Sequence, residues 1–332
     1  MFGKNIKRKM KLVCNVTRKK NIESQHMVYA VVIDGDGKII FSSGEPEHIT
    51  CIRSSLKPFQ ASAAILLDAT KSAGFTKKEI ALMCASHNGE EIHVQTAKSM
   101  ANKLGFDESH YECGNHAPYD KMSSKKARHT GYTAFHNNCS GKHSGMLAIA
   151  KKLGQNPKNY TSKNHPVQRV IFDQIAKLTG SEENSLGIDG CSAPTPFLSL
   201  IQIGKLFQLL VAKKYCELTT TYDAMIEYPY LVAGKNRFDT DFIEALNGRG
   251  ITKVGGEAIR GAVIKTEQYG PIGIAQKVLD GNQRANEPAI MKICNHLNLL
   301  LPNENKKLDK YITKKLFNHR QIHIGNIEAV LI

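Results

Sequence analysis

No stretch of the 332-residue sequence approaches the ~18 consecutive apolar residues that a membrane-spanning helix needs, which excludes a protein built on such helices. No unit recurs at a period of about 20–50 residues and no low-complexity tract interrupts the chain, so a solenoid or disordered scaffold is excluded too. The eight cysteines (Cys14, Cys51, Cys84, Cys113, Cys139, Cys191, Cys216, Cys294) form no C-x-x-C pair. The first residues also lack the apolar core of about 7–15 residues that marks a secretory signal. Reduced thiols in a cytoplasmic protein are the expectation. Neither a strand followed by G-x-G-x-x-G nor a Walker A loop is present, so a nucleotide-binding fold has no support.

Acid is in short supply. Asp+Glu number 30 against 45 Lys+Arg, for a net charge of +15. Residues 1–22 hold eight Lys/Arg and no acid, and residues 303–332 hold six against three, so the body is far less basic than the ends. We therefore read residues 1–22 as a basic N-terminal arm and 23–332 as a single domain. Such an arm can attract nucleic acid or anionic lipid. No basic stripe interleaved with aromatics follows it, however, and no helix-turn-helix or zinc-finger spacing is present, which argues against nucleic acid. With 41% hydrophobic and 23% charged residues, the chain has ordinary globular composition and length enough for a sizeable core.

Met27–Ile33 and Lys38–Phe41 flank Asp34-Gly35-Asp36-Gly37 and read as a hairpin. Three- and four-residue apolar spacing predicts helices over Leu56–Leu67, Thr76–Met83, Glu90–Leu104, Ser144–Leu153, Val167–Leu178, Phe197–Ala212 and Asn286–Leu300. Gly250–Val254, Ala262–Thr266, Gly273–Val278 and Ile322–Ile332 read as strands. Strands thus gather at both chain ends with helices between them. The expected fold is α+β, an antiparallel sheet from both termini packed with helices, plus a mostly helical middle region.

Ser54-Ser55-Leu56-Lys57 stands where a helix should begin, and i, i+3 spacing lets the Lys57 amine reach the Ser54 hydroxyl. Serine needs an adjacent base, and lysine serves when burial or a nearby cation lowers its pKa. Ser86-His87-Asn88 and Lys253-Val254-Gly255 follow in the chain order of the serine β-lactamases and penicillin-binding proteins. The other Ser-x-x-Lys, Ser123 to Lys126, lies in a Lys-rich polar segment and reads as a solvated face.

Longer strings narrow the reading. Arg53-Ser54-Ser55-Leu56-Lys57-Pro58-Phe59-Gln60, Cys84-Ala85-Ser86-His87-Asn88-Gly89-Glu90, Asn138-Cys139-Ser140-Gly141-Lys142-His143-Ser144-Gly145, Gly187 to Pro196 and Lys253-Val254-Gly255-Gly256-Glu257 together resemble the L-asparaginase II family, the thermolabile rhizobial type. The resemblance runs from about Glu23 to Arg284 and more loosely beyond. It implies a serine β-lactamase-like fold and hydrolysis of L-asparagine to L-aspartate and ammonia. It also implies two Ser–Lys pairs, Ser54 with Lys57 and Ser86 with Lys253. We expect Ser54 to attack, Lys57 to act as base, and Ser86 with Lys253 to relay protons; the reverse assignment of the two serines stays open. Further, the resemblance implies a zinc ion on Cys139, Lys142 and Cys191, and a homodimer. Asp189 is the natural partner for a substrate ammonium and Arg53 for its carboxylate. His87, His136 and His143 flank these strings; a histidine there is as often a hydrogen-bonded support as an acid or ligand, and all three are left out of the catalytic set. A glutaminase or a penicillin-recognising hydrolase of the same fold is the alternative, and a nucleic-acid-binding protein using the arm is a third.

Overall fold

The structure, a computed structural model, describes residues 10–181 and 185–332. Its strands are β1 (Leu12–Arg18), β2 (Asn21–Ile33), β3 (Ile39–Ser43), β4 (Ile49–Cys51), β5 (Leu186–Ile188), β6 (Pro194–Ser199), β7 (Gly250–Val254), β8 (Ile259–Thr266), β9 (Gly270–Val278), β10 (Thr313–Phe317) and β11 (His323–Leu331). The main sheet runs β10-β11-β1-β2-β9-β8-β7, with β3 also paired to β2, and every pairing is antiparallel. A small second sheet has the order β4-β6-β5. The architecture is the expected α+β one.

Strand alternation explains how the sheet faces two cores at once. Val31 and Ile33 of β2 join the core that includes Phe59, Leu82, Met146 and Phe207, which belong to the helical middle. Ala30 and Val32 point the other way, into a core with Phe242, Ile290 and Met291. The hairpin between β2 and β3 forms where read, because Asp34 Oδ1 accepts from the Asp36 and Lys38 N–H groups and fixes the turn.

Two expectations need correction. Residues 1–9 of the arm lie outside the described residues, but its second half is no arm: β1 sits inside the sheet, Leu12 opposite Leu331 on one side and Val28 on the other. The boundary at residue 22 therefore falls within a hairpin. Val13, Cys14 and Val16 carried this strand, and the surrounding lysines masked it. Second, Phe197–Ser199 is the end of β6, and the helix runs over Leu200–Leu209. The Ser199 hydroxyl accepts from the Gln202 N–H while Gln202 returns its carbonyl to the Ser199 N–H, a capping box that fixes the start. Helices Cys216–Glu227 and Phe238–Leu246 had not been foreseen.

Close backbone approach fixes where the helices stand. A Cβ on Gly273 of β9 would fall 2.0 Å from the Gly204 carbonyl oxygen, so the helix Leu200–Leu209 rests directly on the sheet. Likewise a Cβ on Gly141 would fall 2.1 Å from the Leu82 carbonyl oxygen. The helix Ser140–Lys152 is thereby held against Lys77–Met83, and the two segments that bear Ser86 and Cys139 come side by side.

Candidate active site

Arg53 adopts φ +49° and turns the chain from β4 into the short 3-10 turn Arg53–Leu56, which runs on into the helix Lys57–Leu66. Pro58 is tolerated there because the first helical N–H groups have no partner to lose. Lys57 is fully buried. Its Nζ donates to the Ala85 carbonyl at 2.5 Å, the Ser86 hydroxyl at 3.1 Å and the Asn138 carbonyl at 3.2 Å.

Lys253 reaches the same hydroxyl from the opposite side, on β7. Its Nζ lies 2.8 Å from Ser86 Oγ and 2.9 Å from the Val254 carbonyl. The Ser55 hydroxyl donates to the Lys253 carbonyl at 2.8 Å and ties the strand to the serine turn. Ser86 follows the helix Lys77–Met83 and is anchored by its N–H to the Val232 carbonyl at 3.0 Å. Burial drives the Lys253 pKa down to about 7, and Lys57, Arg237 and Arg260 push the same way against the opposing pull of Asp239.

The Ser86–Lys253 contact is therefore present, whereas the expected contact of Lys57 with Ser54 is not. An ammonium has three donors, and the three acceptors around Lys57 use them all. The Ser54 hydroxyl has no hydrogen bond among the described residues. It lies half-buried on a cavity of about 520 Å³ that Ser86, Arg53, Asp189, Cys139, Cys191 and Arg237 also line. Arg53 and Asp189, expected to take opposite charges of a substrate, are joined to each other, Nε to Oδ1 at 2.7 Å.

Cys139, Lys142 and Cys191 come together beside the cavity. Lys142 Nζ is 2.7 Å from Cys191 Sγ, and all three side chains are buried. A hydrogen bond from the Cys139 thiol, with the Lys142 charge beside it, holds the Cys191 thiol well below its usual pKa. Among the described residues no cluster of three or more His, Cys, Asp or Glu is placed to hold a metal. A site here depends on the lysine nitrogen. Two sulfurs and one amine in contact fit a soft, four-coordinate ion such as zinc, provided Lys142 gives up its proton.

The histidines are supports. His87 Nε2 meets the Ser140 hydroxyl at 2.9 Å, its Nδ1 accepts from the Gly89 N–H, and burial keeps the ring neutral. His143 Nδ1 meets the Tyr160 hydroxyl at 2.5 Å, and His136 Nδ1 caps the turn at Thr133.

Two functional candidates escaped the sequence reading. Asp239, fully buried, lies 3.7 Å from Lys253 Nζ, accepts from the Val254 N–H and pairs with Arg260 Nη1 at 2.5 Å. Arg237 stands two residues earlier on the cavity wall, with Nη1 2.7 Å from Asn88 Oδ1. An acid on the same helical face as Phe242 and Ile243 was the available signal, but the helix itself had been missed.

A hydroxyl held between two buried amines, beside a second serine on a polar cavity, is equipment for acyl transfer. The L-asparaginase II family model matches residues 14–329, and the chain belongs to that family. It is an enzyme, an amidohydrolase acting on L-asparagine-like substrates. A comparison with curated proteins finds no match. Among solved structures the chain is similar to the β-lactamase of Sphaerobacter thermophilus (10% identity, TM-score 0.44, covering 83% of this chain and 93% of that one). It is also similar to the TLA-1 extended-spectrum β-lactamase (12%, 0.43, 83% and 92%) and to a β-lactamase from Francisella tularensis (13%, 0.39, 82% and 93%). Among the described residues no helix is long and apolar enough to cross a membrane.

Proposed function

We propose that the enzyme hydrolyses L-asparagine to L-aspartate and ammonia through an aspartyl ester on a serine. One observation carries the reading: the Ser86 hydroxyl lies between the nitrogens of Lys57 and Lys253, in the cavity that Ser54 shares. An amine is a base only when neutral, and burial brings Lys253 to about 7, so a large fraction is unprotonated at neutral pH. Set between an ammonium and an amine, Ser86 accepts from one and donates to the other. That arrangement moves protons while the hydroxyl stays in place.

Ser54, uncommitted and open to the cavity, attacks the side-chain amide carbon after turning toward this relay, and its proton passes to the lysines. The relay returns a proton to the nitrogen, which leaves as ammonia. One water then cleaves the ester and releases L-aspartate. In the Arg53–Leu56 turn the Arg53 N–H is taken by Thr195 Oγ1 and the Ser55 N–H by the Ile52 carbonyl, which leaves the Ser54 N–H to receive the developing oxyanion. Asp189 takes the substrate ammonium on its other carboxylate oxygen while Oδ1 stays on Arg53. Where zinc is bound, Cys139, Lys142 and Cys191 would hold it, and it would supply positive charge that orients the substrate. The resemblance further supports a homodimer, and eight free thiols support a reducing, cytoplasmic setting. Glutamine differs by one methylene, worth only about 1–3 kcal/mol, and is the alternative substrate.

A second assignment, attack by Ser86 itself, is favoured by the fact that Ser86 and not Ser54 touches both amines. Ammonia release from L-asparagine and L-glutamine by wild type, Ser54→Ala and Ser86→Ala, with zinc content measured on the same samples, tests the proposal. Acid-quenched turnover followed by peptide mapping should locate the ester on Ser54. An ester on Ser86 reverses the roles, and folded wild type that releases no ammonia overturns the function.

A further inference from the structure

Cations line the cavity or stand behind its walls, and nearly all of them are spoken for. Lys57 and Lys253 are engaged on Ser86. Lys142 is on Cys191, and Arg53 is neutralised by Asp189. Arg260 donates to Asp239, Thr252 and Asn286. Arg237 is different. Among the described residues its guanidinium has no carboxylate within ion-pair distance, and the Asn88 side chain is that group's one hydrogen-bond partner.

Its setting is a built one. Asn88 holds Nη1 at 2.7 Å and is itself fixed, its amide nitrogen 3.0 Å from both Glu90 Oε1 and the Lys235 carbonyl, and its N–H bonded to the Ala233 carbonyl. The guanidinium lies 5.9 Å from the centre of the Tyr119 ring, which also lines the cavity. One corner of the fork is thus pinned, and among the described residues the remaining N–H groups have no protein acceptor. A preorganised guanidinium with a free edge is the shape that receives a carboxylate in two parallel hydrogen bonds. Ser86 lies two residues from Asn88, so the same short segment that presents the hydroxyl also aims this cation.

The geometry points to Arg237 as the receptor for the α-carboxylate of the substrate, with Asn88 as its positioning residue. Arg53 is left to hold Asp189. The assignment rests on the proposed amino-acid amide substrate, and it makes the enzyme selective for amides that carry a free carboxylate.

The test compares L-asparagine with 3-aminopropanamide, which keeps the amine and amide and lacks the carboxylate, on wild type, Arg237→Gln and the conservative Arg237→Lys. Wild type should prefer L-asparagine in kcat/KM by roughly 10–100-fold, the worth of hydrogen bonds to a charged group. In Arg237→Gln that preference should collapse toward unity through KM, and Arg237→Lys should fall between. Calorimetric titration with L-aspartate should show affinity falling by the same factor, in protein whose melting curve shows it folded. A preference ratio retained in Arg237→Gln, or L-aspartate binding unchanged, overturns the assignment. Should wild type release no ammonia, the proposed function fails, and the L-aspartate titration still decides whether Arg237 receives a carboxylate.

Discussion

At the scale of single residues, Lys253 and Asp239 form an adjustable pair. Lys253 works as a base only when neutral, so kcat/KM should rise with pH through about 7. Asp239 favours the ammonium form, and removing its charge lowers the Lys253 pKa further. Asp239→Asn should therefore move the rising limb to lower pH, read from a pH–rate profile on protein shown to be folded; an unmoved limb would mean that Lys253 is not the titrating base. Ser54, Lys57, Ser86 and Lys253 stand out in the sequence through motif order and the longer strings around them. Of the two expected pairs, Ser86 with Lys253 is made, whereas Lys57 meets Ser86 and not Ser54. Spacing says which side chains can meet, whereas the carbonyls of Ala85 and Asn138, which claim Lys57, belong to segments that only tertiary folding brings near.

At the scale of elements, the site depends on how closely two helices approach. Gly141 leaves room for the Leu82 carbonyl, and so sets the distance between the segment carrying Cys139 and Lys142 and the segment carrying Ser86. A methyl group there meets backbone, which cannot rotate away. Gly141→Ala should cost about 1–3 kcal/mol in chemical denaturation and reduce activity beyond the loss of folded protein; a variant of wild-type stability and rate would show that the contact relaxes freely. The helices with strong apolar periodicity were legible to within a few residues. Phe238–Leu246 was not, since Asp239 and Asp241 interrupt its pattern, and the burial of Asp239 against Arg260 is a fact of the folded molecule alone. Composition misled in the same way at β1, where lysines and arginines surround a strand whose alternate residues face the core.

At the scale of the whole molecule, β1 decides what the basic end of the chain can be. Flanked by β2 and β11, it supplies backbone hydrogen bonds on both edges and buries Leu12 and Cys14. Deleting residues 1–22 should therefore abolish cooperative unfolding, followed by circular dichroism, and activity with it. A truncated protein that melts like wild type would show that β1 is dispensable. Loss of nucleic-acid retention on such a deletion would accordingly report unfolding and not a missing contact.

The β1–β11 pairing also sets a timetable. Leu12 pairs with Leu331, more than three hundred residues further along the chain, so β1 must wait on β2, with one edge open, until β11 has been made. Loop closure over that separation comes late and rewards the chain only then. The nascent chain can assemble its helical middle as it emerges, but the sheet that carries Lys253 is completed only when β11 arrives beside β1. A single edge strand waiting through translation is where a slow-growing chain would find the wrong partner.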